Sequence, residues 1–174
     1  MTPRPWAPAL AGVAVASLLL GSTGCGKKEL TGTAGKDIKI LPANTLPREL
    51  AGLTVKQENV AKATKQAKHS YVDAVGFYTL RQDKRVQGTV QVSRFNDSAR
   101  LEDADFKTEL VQRTSPGTPV AINVGNTTVQ QSTGTKSTVS IWFSKGRMIV
   151  LTVLLAYTGS RGLLEQALVE LPAT

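Results

Sequence analysis

The sequence predicts an α+β fold, a mainly antiparallel sheet of five to seven strands with about three helices packed on one face. Three observations predict it. Short runs alternate apolar and polar residues between turn signals, as in Val120-Ala121-Ile122-Asn123-Val124 ahead of Gly125-Asn126. Other stretches repeat apolar residues at helical spacing, most clearly Leu163, Leu164, Ala167, Leu168 and Leu171. Finally, Met148 to Ala156 is almost wholly apolar, and at 9 residues it is far too short to cross a bilayer. It reads as a central strand buried on both faces.

The elements follow in order. Leu53 to Lys56 suits a short strand. A helix is expected from Glu58-Asn59, with Val60, Ala63, Ala67 and Tyr71 as a narrow apolar stripe. Lys65, Lys68 and His69 near its end would complement its dipole. Ala74 to Arg81 and Val86 to Phe95 read as strands around the polar turn 82–85. In the second, Val90 and Val92 alternate with Thr89, Gln91 and Ser93, which predicts one wet face. Asn96-Asp97-Ser98 offers cap chemistry for a helix to about Arg113, anchored by Phe106 and Leu110 and ended by Ser115-Pro116-Gly117. A β-meander follows: Val120 to Val124, Thr127 to Gln131, then a strand with Val139, Ile141 and Phe143 inward and Trp142 on the other face. Ser144-Lys145-Gly146-Arg147 is its hairpin into the apolar strand, Ser160 caps the last helix and Pro172 stops it.

These elements fill residues 46–174, the size of one domain with a full hydrophobic core. The order of elements resembles that of small exported α/β-sandwich domains of bacterial lipoproteins, such as the PsbP-like ones. That likeness implies a fold and no function. Residues 25–45 are polar and rich in small residues and read as a flexible tether; Lys27, Lys28, Lys36 and Lys39 are expected to keep it solvated, the alternative being that they lie against anionic headgroups.

The first 24 residues read as a targeting segment. Arg4 is the only side-chain charge before an uncharged run from Ala9 to Leu20, and Gly21 to Gly24 are small. As a helix that 12-residue run covers about 18 Å, against a hydrocarbon core of about 30 Å. Cys25, the only cysteine, comes next, in Thr23-Gly24-Cys25. This segment resembles a bacterial lipoprotein signal peptide with its lipobox, although Ser22 stands where leucine is usual. The resemblance covers about 26 residues and implies a diacylglyceryl thioether on Cys25, which becomes the new N-terminus after cleavage. Two or more acyl chains suffice for stable anchoring.

The remaining signals limit the chemistry. Gly21 to Lys28 nearly spells a phosphate-binding loop, but Lys28 replaces the magnesium-binding hydroxyl and no strand-to-helix context surrounds it. Loss of residues 1–24 removes one cation, Arg4, and takes the formal charge from +8 to +7. Outside a cell the polyanions within reach are lipid headgroups and wall polymers. No basic-aromatic interleaving suggests nucleic acid. Lys56, Lys62, Lys65 and Lys68 form a candidate basic rim for an anionic surface on and near the first helix. His69 is the only histidine, so a Ser-His-Asp arrangement has one candidate base, and no zinc cluster or other cofactor site is expected. Glu102, Asp103 and Asp105 crowd a helix start, where acids serve the dipole.

The expected function is that of an exported, lipid-anchored, non-enzymatic lipoprotein. It would sit on the extracytoplasmic face of the cell membrane and bind a protein or envelope component there. One alternative is a carrier or sensor of a small apolar ligand, in a sheet-helix cavity lined by residues such as Phe77, Trp142 and Leu151. A second is a hydrolytic enzyme built on distant carboxylates, His69 or a lysine.

Overall fold

The computed structural model describes residues 36–59, 68–69, 71–96 and 101–173. Their elements are β1 (Lys36–Asp37), β2 (Lys39–Ile40), a 3-10 turn (Ala43–Thr45), β3 (Glu49–Leu50), β4 (Leu53–Gln57), β5 (Lys68–His69), β6 (Val72–Gln82), β7 (Arg85–Phe95), α1 (Ala104–Thr114), β8 (Val120–Val124), β9 (Thr127–Thr133), β10 (Ser137–Ser144), β11 (Arg147–Leu154) and α2 (Ser160–Glu170). Nine strands form one sheet in the order β3-β4-β6-β7-β11-β10-β9-β8, with β2 paired to β6 off that path. Every pair in it is antiparallel except β2–β6. β1 and β5 form a separate ladder, with Lys36 opposite His69.

The sheet grows from hairpins, which need only local contacts. Lys145 (φ 44°) and Gly146 (φ 74°) turn β10 into β11 with two successive left-handed residues, the backbone that matches strand twist. β6 and β7 run 11 residues each, and β11 returns beside β7 with Val150 opposite Gln91. The chain then alternates between two cores. Tyr78, Val90, Val92, Trp142, Ile149 and Leu151 join Leu163, Leu164, Ala167 and Leu168 of α2 on the first face. Val75, Phe95, Ile141, Met148 and Val150 join Phe106, Leu110 and Val111 of α1 on the second. There Tyr71 stacks on Phe95, and Phe106 meets both rings edge-on.

Several expectations are corrected by this arrangement. The sheet has nine strands rather than five to seven. β2 and β3 contain two residues each, too few to show an alternation. The two helices among the described residues pack on opposite faces, not on one. The expected wet face of β7 is buried, with Gln91 4 % and Ser93 1 % exposed. The Gln91 amide donates to the Ser93 hydroxyl at 3.3 Å. Its polar composition arises in a strand with neighbours on both sides and side chains covered on both faces.

Helix ends also move. α1 starts at Ala104, capped by Asp103, whose carboxylate accepts from the N–H groups of Asp105 and Phe106. Asp97 and Ser98, the earlier cap candidates, lie outside the described residues. Ser160 is the first residue of α2 rather than its cap, which is Gly159. Of the helix expected from Glu58, residues 60–67 lie outside the described set, and Lys68 and His69 are in β5. Glu58 itself is not helical; its N–H donates to the Phe77 carbonyl and its carboxylate pairs with Arg81 at 3.3 Å. The fold also begins before the expected boundary at residue 46. Ile38 and Leu41 are buried, and the Leu41 N–H donates to Val75.

Tyr78 ties this early segment to the sheet, its hydroxyl donating to the Pro42 carbonyl at 3.1 Å. Burial pushes the phenol above its ordinary value of 10.0, against weaker opposing pulls from the Thr45 hydroxyl and the Arg147 charge. A folded pKa above the unfolded one gives stability that is full below about pH 10 and is lost as pH rises through the folded value. Tyr78→Phe is expected to cost about 1 kcal/mol at pH 7 for the lost hydrogen bond, and to flatten the alkaline limb above pH 10. Urea unfolding at both pH values checks the pair.

Candidate binding surface

The residues singled out in the sequence scatter. Cys25, Lys62 and Lys65 lie outside the described residues. Lys56 is exposed on β4, in the large sheet, whereas Lys68 lies on β5 in the two-stranded one. Those two lysines therefore do not share a helix face. His69 is in strand β5, opposite Lys36, rather than in a helix. No helix among the described residues is long and apolar enough to cross a membrane.

Several carboxylates have structural partners. Asp73 holds Arg94 through both oxygens, at 2.9 and 3.2 Å. That hydrogen bond and the carboxylate charge raise the Arg94 pKa further. Glu109 pairs with Arg113 and Glu165 with Arg161, each one helical turn apart. Among the described residues no group of three or more His, Cys, Asp or Glu could hold a metal.

The proposed apolar ligand cavity is not built as expected. Trp142 and Leu151 belong to the first core. In β6 the residues of that core are Ala74, Tyr78 and Leu80, so Phe77, between Gly76 and Tyr78, projects to the other face. The sheet separates Phe77 from the other two, and no single cavity is lined by all three.

A different feature emerges at the β8 end of the sheet. A cleft of about 280 Å³ opens between the first face and the start of α2. Ile122 and Val124 of β8, Leu151 and Val153 of β11, and Leu164 of α2 form its apolar walls. Gln131, Ser140 and Arg161 add polar groups, with the Gln131 amide donating to the Ser140 hydroxyl at 3.0 Å. Its volume falls just below the range of about 300–1,000 Å³ for small-molecule sites. Neither β8 nor the cleft was recognised from the sequence as a surface. The available signal was the uncharged run between Arg113 and Lys136, which reads equally well as buried meander.

Comparison with known protein families, curated proteins and solved structures finds no match for this chain.

Proposed function

We propose that this protein is an exported lipoprotein, held on the extracytoplasmic face of the cell membrane by lipid on Cys25. Its domain is a non-enzymatic module that binds a protein or envelope component at that surface. The observation that carries the reading is Thr23-Gly24-Cys25 directly after an uncharged apolar segment. The domain supports it in two ways. Strand β1 begins at Lys36, 11 positions after Cys25, a chain length of at most about 40 Å. The folded part therefore works close to the bilayer. The cleft beside β8, with apolar walls and a few polar groups, offers a surface on which a segment of a protein partner can dock.

Metabolic labelling with a clickable fatty acid tests the anchor. The wild-type chain is expected to take up label and fractionate with membranes, while Cys25→Ala takes up none and leaves the membrane fraction. A Cys25→Ala chain that is still labelled and membrane-bound overturns the reading.

A further inference from the structure

The two edges of the large sheet are finished differently. At one edge β3 is only two residues long and carries the exposed Glu49. Short strands and charges are the usual protection of an edge against pairing with another chain. At the other edge β8 presents five residues, Val-Ala-Ile-Asn-Val, with no charge. The 22 residues between Arg113 and Lys136 hold no charged side chain, in a chain of net charge +8. Val120 is 61 % exposed, and Ala121 and Asn123 are exposed beside it.

The register of β8 shows which of its backbone groups are not used in the ladder with β9. Val124 and Thr127 flank a two-residue turn and face one another, so they form a hydrogen-bonded pair. Ile122 opposite Val129, and Val120 opposite Gln131, repeat that arrangement. The N–H and C=O groups of Ala121 and Asn123 therefore point away from β9, out of the sheet edge.

We propose that the occupant of this edge is a second copy of the chain, whose β8 pairs antiparallel with the first about a twofold axis through Ile122. In that register Ala121 of each copy faces Asn123 of the other, and all four outward donors and four outward acceptors at these positions are used. Ile122 meets its counterpart in a non-hydrogen-bonded pair, and Val120 lies opposite Val124 of the second copy. The valine and isoleucine side chains then continue across the seam as one apolar stripe on the first face. Charge selects this occupant over an acidic partner. A strongly cationic chain repels its own copies wherever lysines and arginines meet, and β8 brings none to the contact. An acidic segment would find no cation on the strand to pair with. One short strand per copy buries less surface than the roughly 1,200–2,000 Å² of stable complexes, so the dimer forms in a concentration-dependent equilibrium. The pairing does not depend on lipid at Cys25.

The test uses the full chain in detergent with Cys25→Ser, so that an introduced thiol is the only one. Ile122→Cys is expected to give a disulfide-linked dimer under mild oxidation, while Lys84→Cys, at the exposed β6–β7 turn, stays monomeric. Sedimentation equilibrium provides a second measurement that needs no thiol. Ala121→Pro removes one outward N–H per copy and leaves the β8–β9 ladder intact, because proline is tolerated at the open side of an edge strand. Two hydrogen bonds per dimer are lost, and dimerisation is expected to weaken about 30-fold. The proposal is overturned by a chain that stays monomeric at every concentration, by equal dimerisation of Ala121→Pro, or by an Ile122→Cys adduct with a different protein instead of with itself.

Discussion

Trp142→Ala is expected to destabilise the domain by about 3–5 kcal/mol, measured as the shift in urea unfolding followed by circular dichroism. Trp142 is 2 % exposed and is the largest fully buried side chain among the described residues. Its indole N–H donates to the Leu171 carbonyl at 2.7 Å, at the C-cap of α2. The side chain thus fills the core and also fastens the end of the helix to the centre of the sheet. Truncation leaves a cavity and a buried carbonyl without its donor. Trp142→Phe separates the two contributions: it retains most of the apolar volume and loses the hydrogen bond, with an expected cost nearer 1–2 kcal/mol. Domains of this size are stable by only about 5–15 kcal/mol, so the alanine variant is left with little reserve. Equal stability of the wild-type and alanine proteins would show that α2 docks without this side chain.

Gly88→Ala is expected to cost about 3 kcal/mol, at the upper end for overpacking, because the clash is with backbone. A Cβ at position 88 would lie 2.5 Å from the Thr152 carbonyl oxygen on β11. Gly88 pairs with Leu80 of β6 on one side and Val153 of β11 on the other. Neither neighbour can retreat without loosening a ladder in the middle of the sheet. A contrasting position is Gly162, where an added Cβ has open space around it. Gly162→Ala, inside α2, is expected to be neutral or to stabilise by up to about 1 kcal/mol. The opposite signs are read in a single series of thermal melts, and a matching loss at both positions would contradict the geometry.

The same contrast explains what could be read in advance. β8 matches its expected bounds, and the long strands β6 and β7 and the buried β11 match closely, because period and turn chemistry are local properties of the chain. The leucine face of α2 was legible for the same reason. Polar residues on β7 misled, since Thr89, Gln91 and Ser93 read as solvated and are buried. Alternation reports that two faces differ in polarity. It does not report that a second layer covers the polar one. β2 and β5 were illegible because two-residue strands exist only by virtue of their partners in the ladder.

The candidate surface divides along the same line. Residues 9–25 carry the lipid-anchor proposal from composition and spacing alone, with no tertiary contact needed. The absence of charge from 114 to 135 was equally visible, but its meaning was not. An uncharged run serves a buried strand and an open edge alike, and only the strand order shows that β8 has a neighbour on one side. By itself the sequence determined the α+β class, the long strands and the leucine face of the last helix, all of which depend on residues close together in the chain. Tertiary structure alone decided that the two described helices lie on opposite faces, that Phe77 and Trp142 are separated by the sheet, and that Ala121 and Asn123 direct their hydrogen-bonding groups outward. Each of those depends on which distant strands became neighbours, and that choice is made by the burial of both faces of the sheet together.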